Sequence, residues 1–465
     1  MTQSLFDSFE PSSYEQWKQQ AIKDLKGKDF EQTLLWSTIE GFSVEPYYDS
    51  EMLENLMVEK IQQAQSKNVQ LPIGGWGIRE DVWVENEKIA NNQAVQAIQG
   101  GADTIVFGLD SKTLATINLL KLLDKIKLSE TSTYFKLNHQ TVELINALKK
   151  IIGYYPKGGV VDDTLAQWMQ NGDWHEDCWT QKAVAIRQTS EWLNFKVLTI
   201  SSHHFHNAGA NTTQELAFLL ASVVTYLDKL SDEGLTIEEI VSNIELSVSI
   251  GTDYFMEIAK VRALRYLMSS VLHLFDSQSF SVNIHANTST FYDAAITPYT
   301  NMLRATTEAM SAILGGCDAL SIHAYDATFS ESSDFARRIA RNVSSVLKEE
   351  SYLDKAIDPA AGSYYVENLT WQLVQSTWKL FQEIEAMGGI IEAFKQNFVQ
   401  NKIQKINELR QENLVSGKSI MVGVNKFRFD EEPFEKPVQS ELISFERPTF
   451  KLLKNTRLAE NFEIS

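Results

Sequence analysis

Apolar and polar residues alternate in short runs through the middle of the chain, and longer segments with a period near 3.6 separate them. The runs are TIVFGL (104–109), TYFKLN (133–138), VLTIS (197–201), IELSVSIG (244–251), FSVNIHANTST (280–290) and ALSIHAY (319–325). Period two over such lengths predicts β-strands. Between them, NQAVQAIQGG (92–101), QELAFLLASVVTYLDKL (214–230) and MEIAKVRALRYLMSSVLHLF (256–275) predict helices. Strands that alternate with helices of this length imply βαβ units and a parallel sheet. Six strands with room for two more predict an α/β fold of the (β/α)8 TIM-barrel type. An open doubly wound sheet is the competitor, but no G-x-G-x-x-G or Walker loop marks a switch point. The first 65 residues read as helices around an extended piece at 36–51, and 358–411 reads as long helix. The predicted organisation is an N-terminal extension over 1–65, the barrel over 66–428 and a Pro-punctuated tail over 429–465.

One face of the predicted strands is polar. Thr199 and Ser201, Ser247 and Ser249, Asn283 with His285 and Asn287, and Ser321 with His323 each share a side by alternation. Helices must cover the apolar side, which carries Ile200, Val248, Ile284 and Ile322. The polar side therefore points at the barrel axis, where Val, Ile and Leu normally pack. Two consequences are open: room for a slender polar ligand, or a polar core bonded to itself.

Composition narrows the class. With 43% hydrophobic and 22% charged residues the chain reads as globular, and its two cysteines, Cys178 and Cys317, make no disulfide framework. These features predict a cytoplasmic protein, with no membrane-spanning run and no signal segment. Lys plus Arg number 42 against 61 acidic residues, a net charge of −19 that disfavours nucleic acid and anionic membrane as partners. His203, His204 and His206 follow the strand ending at Ser201, where barrel active sites are built. Adjacent positions cannot all aim at one ion, so hydrogen bonding or proton handling fits them better than metal, and no metal site is expected. His139, His175 and His273 stand isolated in the sequence. The segments 257–265 and 333–342 carry the densest positive charge, to be paired with acids or to meet a phosphorylated ligand or partner.

Seven segments stand in a definite order: TIEGFSVEPYY (38–48), TDYFMEIAKVRALR (252–265), RATTEAMSAILGGCDALSIHAYD (304–326), SDFARRIARN (333–342), DPAAGSYYVENLT (358–370), IEAMGG (384–389) and VGVNKF (422–427). In order and spacing, over most of the chain, they resemble the methylmalonyl-CoA mutase family. That resemblance implies a barrel that threads the pantetheine arm of coenzyme A along its axis, in agreement with the polar interior. The family's catalytic chains carry a cobalamin domain after the barrel, with a D-x-H-x-x-G motif that this sequence lacks.

Departures from the family pattern fall at its site. Where the family has Y-P-T-M-Y-A-F-R-P-W-T-I-R, residues 66–79 keep only Trp76, Ile78 and Arg79. S-G-Y-H-M-Q-E-A-G-A becomes SSHHFHNAGA (201–210), keeping His204 but placing His203 at the Tyr and Asn207 at the Glu. H-C-Q-T-S-G-W-S-L-T-E-Q becomes a segment from 285 that keeps His285, Thr288 and Ser289 and puts Ile296 at the Gln. Ala327 takes a further Glu position, and WMQNGDW (168–174) replaces a segment that carries an arginine. By resemblance, then, His204 is a vestigial catalytic residue, and Arg79, His285, Thr288 and Ser289 are the substrate-binding candidates. Adenosylcobalamin belongs to the holoenzyme and is bound by the partner, a large catalytic mutase subunit, while acyl-CoA remains a candidate ligand. The implied function is a non-catalytic small subunit of a heterodimeric isomerase. The alternative is a catalytic barrel that works with a separate cobalamin-binding chain. Trp17, Trp36, Phe434, Phe445 and Phe450 are the expected partner anchors, unless the arms carrying them fold back on the barrel.

Overall fold

Alternation fixes which side of each strand is dry, and eight parallel strands use it to close a cylinder. The computed structural model describes residues 12–463 apart from 55, 67–74, 110, 278–281, 331 and 430–449. The strands are β1 (Gly77–Trp83), β2 (Thr104–Gly108), β3 (Ser132–Lys136), β4 (Gly158–Val161), β5 (Phe195–Lys196 continued as Leu198–Ser201), β6 (Ile244–Ile250), β7 (Asn283–Thr288) and β8 (Ala319–Ser321). Each pairs with its sequence neighbour, and β8 pairs with β1, so the order closes on itself. The predicted TIM-type barrel is the observed fold. β1 and β4 are the two strands that the hydrophobic pattern left unassigned.

Register shows why β5 is split at Val197. Lys196 pairs with Gly159, which neighbours Tyr134, and Thr199 pairs with Glu245. Both face the axis although three positions separate them, so one extra residue must be absorbed as a bulge. Outward positions such as Ile105, Phe107, Phe135, Ile200, Leu246, Val248 and Ile284 are buried under the helices. Each such burial is worth about 1.5–3 kcal/mol.

The helices carry clear start and stop signals. Asn211 caps Thr212–Asp232 in a reciprocal capping box with Gln214. Glu40, from the N-terminal arm, accepts the Thr212 and Thr213 N–H groups at 3.1 and 2.8 Å, docking the arm where the helix dipole favours a carboxylate. Cys178 and Cys317 are buried thiols, and burial pushes the Cys178 pKa up to about 11. The predicted long helix over 358–411 is three helices: Tyr364–Ala386, Gly389–Lys395 and Phe398–Val415. Gly388 (φ +96°) and Asn397 (φ +60°) sit in the left-handed region, which ends a right-handed helix.

Both arms touch the barrel. Trp17 stacks on Tyr47 within the N-terminal arm, whereas Trp36 stays half exposed. Residues 450–463 return across the rim, where Leu453, Thr456 and Leu458 N–H groups donate to the carbonyls of Met169, Asn207 and Phe291. Phe450 packs on Trp168 and Phe394, so this anchor folds back. Phe434 and Phe445 lie outside the described residues. Among those residues no helix is long and apolar enough to cross a membrane.

Candidate functional site at the barrel axis

The lumen is lined as alternation predicts, and five of its side chains bond to one another in a row. Ser247 Oγ lies 2.7 Å from His203 Nε2 and 2.7 Å from His285 Nδ1. Ser249 Oγ is 2.7 Å from His203 Nδ1, and Ser321 Oγ is 2.9 Å from His285 Nε2. A neutral imidazole has one donor and one acceptor, and a hydroxyl can relay between two rings. The five side chains therefore form one chain, Ser249–His203–Ser247–His285–Ser321, in which each neutral ring donates through one nitrogen and accepts at the other. Burial keeps both rings neutral: it pushes the His203 pKa down to about 3 and that of His285 well below the ordinary value.

Below this chain sits a charged layer. Arg79 Nη1 donates to Glu245 Oε1 at 2.7 Å, and the Tyr134 hydroxyl donates to Glu245 Oε2 at 2.6 Å. The guanidinium also lies 4.1 Å from the centre of the Tyr134 ring. Burial and the neighbouring carboxylate hold the Tyr134 pKa well up, so the phenol stays a donor. Glu245 is legible only in retrospect, because it continues the inward alternation of Ser247 and Ser249.

The other retained residues do structural jobs. Thr288 Oγ1 accepts the His323 N–H at 2.9 Å, and Ser289 Oγ lies 2.7 Å from His206 Nε2. His204 is buried against Phe205, and neither ring nitrogen has a hydrogen-bond partner among the described residues. Thus Arg79 and His285 reach the lumen, while Thr288 and Ser289 brace the end of β7. Of the three clustered histidines, His203 is the one that joins the axial chain. Glu215 was not anticipated: it accepts from Ser202 Oγ at 2.6 Å and Lys260 Nζ at 2.9 Å, and lies 3.2 Å from His206 Nδ1. Burial opposes its charge, yet Lys260 and His206 hold its carboxyl well below the usual range.

The basic segments singled out in the sequence are paired with acids. Arg262 Nη1 and Nη2 bind Asp358 and Glu367, each at 2.8 Å, and Arg265 binds Asp318 at 2.8 Å. Arg341 binds Glu80 at 2.5 Å. Beyond the strand ends, a cleft of about 1200 Å³ opens between the N-terminal arm and the chain near Met421, lined by Trp36, Asp253, Tyr292, Arg304 and Arg410 among others. Arg304 and Arg410 donate to the backbone carbonyls of Val422 and Gly209, so they fasten its walls.

The closed parallel barrel with a polar axis defines the architecture. The Methylmalonyl-CoA mutase family model matches residues 95–461, and the chain belongs to that family. It is 34% identical over 443 residues to the methylmalonyl-CoA mutase small subunit of Porphyromonas gingivalis, covering 91% of this chain and 71% of that protein. It is 28% identical to the methylmalonyl-CoA mutase of Escherichia coli, covering 90% of this chain and 65% of that one. Over 51% of this chain, and 33% of the relative, it is 35% identical to the methylmalonyl-CoA mutase large subunit of Propionibacterium freudenreichii subsp. shermanii.

Proposed function

We propose that this chain is the small, non-catalytic subunit of a heterodimeric, adenosylcobalamin-dependent methylmalonyl-CoA mutase, supporting a large subunit that interconverts methylmalonyl-CoA and succinyl-CoA. One observation carries the reading: His203, Ser247, His285, Arg79 and Tyr134, lumen groups that could meet an acyl-CoA, are bonded to one another or to Glu245. Ligand passage along the axis would have to break the His203–Ser247–His285 chain and the Arg79–Glu245–Tyr134 layer. Each neutral bond contributes about 0.5–1.5 kcal/mol, and each bond to a charged group about 1.5–3 kcal/mol. The likeness to a relative named as a small subunit supports the same reading.

His203, His204, His206 and His285 do not suit cobalt ligation. Both ring nitrogens of His203, and those of His206 and His285, are taken by hydrogen bonds within the fold, and the His204 ring is buried. The reading therefore leaves the cofactor to the large subunit. It divides the chain into an arm (1–65), the barrel (66–428) and a tail (429–465), and places it in the cytoplasm, with Trp36 as the half-exposed aromatic available to the partner.

The test is turnover. The purified chain with adenosylcobalamin and methylmalonyl-CoA should form no succinyl-CoA, and a heterodimer reconstituted with His204→Ala should stay within a few-fold of wild type. Turnover by this chain alone overturns the reading. So does a hundredfold loss in the variant, equivalent to about 2.7 kcal/mol of barrier.

A further inference from the structure

The loops that follow β3 and β4 bring together three side chains that the sequence leaves apart. His139 follows β3, while Asp173 and His175 follow the helix Thr164–Asn171 that succeeds β4. Asp173 Oδ2 lies 3.3 Å from His139 Nε2, and Asp173 Oδ1 lies 3.2 Å from His175 Nε2. The two imidazole rings are 4.1 Å apart between centres, and one ligand atom from each of the three residues lies within 4.8 Å of the others. His139 Nε2 is buried yet has no hydrogen-bond partner among the described residues, because its approach to Asp173 lacks hydrogen-bond alignment.

The surroundings hold these groups in place. His139 adopts φ +58°, and its N–H donates to Asp162 Oδ1 at 3.3 Å. Asp162 is in turn fixed by Thr141 and Lys182. Trp174, between Asp173 and His175, packs on Trp168 and Trp179, which leaves its two flanking side chains to turn together toward His139. A non-glycine residue in the left-handed region costs about 1–3 kcal/mol, so the conformation of His139 is paid for by its neighbours.

We propose that His139, Asp173 and His175 bind a divalent transition-metal ion of the zinc class, which clips the β3 and β4 loops together at the barrel rim. Zinc takes His nitrogens at about 2.0–2.1 Å and carboxylate oxygens at about 2.0–2.2 Å in a tetrahedron. The edge of such a tetrahedron is roughly 3.3–3.5 Å. The two nitrogen–oxygen separations are near it but run to different oxygens of Asp173. The three ligand atoms, within 4.8 Å of one another, would therefore draw together around an ion. Two imidazoles and one carboxylate leave the fourth position to water or to a group brought by another molecule. His175 is exposed, so an ion can arrive from solvent. The assignment is independent of the catalytic status of the chain.

The experiment uses the full chain without a histidine tag, stripped with EDTA and desalted. Zn²⁺ is titrated by calorimetry, and Co²⁺ by its visible absorption. One ion per chain is expected, with tetrahedral-type cobalt bands and a melting temperature raised by Zn²⁺. Asp173→Asn and His175→Ala should each weaken binding by roughly tenfold or more, while His273→Ala leaves it unchanged. His175 is exposed, so its variant keeps the fold, checked by its melting temperature without metal. Absence of a cobalt spectrum and of a zinc-dependent melting shift in the wild type overturns the proposal. So does wild-type binding in both Asp173→Asn and His175→Ala.

Discussion

The lumen and the shell between strands and helices are both buried and polar, but they are built from different chemistry. In the upper lumen, neutral rings and hydroxyls relay hydrogen bonds, as in Ser249–His203–Ser247–His285–Ser321. In the shell, full charges meet: Lys260 with Glu215 and Glu257, Arg262 with Asp358 and Glu367, Arg265 with Asp318. The segments that carry the family pattern supply most of the shell. TDYFMEIAKVRALR gives the three cations, and DPAAGSYYVENLT gives two of the acids. Much of that pattern therefore serves architecture: it locks helix Tyr254–Leu274 to the strands and to helix Tyr364–Ala386. In the lumen, Arg79, His203, Ser247 and His285 are held by hydrogen bonds within the fold.

The largest test of this contrast strikes the shell. Arg262→Met should leave Asp358 and Glu367 buried without their cation, at a cost of about 3–5 kcal/mol in urea unfolding. Burial already pushes the Asp358 pKa up to about 6 with Arg262 in place, so the variant should lose most at neutral pH. A loss under about 1 kcal/mol would mean that the shell is plastic.

A second test uses pH on a neutral buried ring. Burial pushes the His204 pKa down to about 3, from 6.5 in the unfolded chain. The unfolded state then binds the extra proton between those values, so stability is fully present above pH 6.5 and falls as pH drops toward 3. By pH 4.5 this ring alone should cost about 2–3 kcal/mol relative to pH 7. His204→Leu should flatten that slope in urea titrations run at each pH. An unchanged slope would show that the His204 ring binds its proton equally in the folded and unfolded chain.

The smallest effect is expected in the lumen. Ser247→Ala orphans His203 Nε2 and His285 Nδ1, for a loss of about 1–3 kcal/mol. A loss as large as that of Arg262→Met would make the axial chain as important to the fold as the ion pairs, and would erase the comparison.

The sequence alone determined the barrel, the polar face of its strands and the family. Periodicity and ordered motifs are local properties, and each inward residue from Thr199 to Ser321 lies where alternation puts it. β1 and β4 were not legible, since GIREDVW and GGVV carry too few apolar positions to show period two. Tertiary structure alone decided which groups meet. Glu245 reaches Arg79 because β6 and β1 converge on one axis, and Arg262 reaches Glu367 because two helices cross. His139 meets His175 because consecutive loops share a rim. Whether a polar side chain is a free ligand group or a spent structural one depends on its partner, and these partners lie far along the chain, beyond the reach of any local pattern.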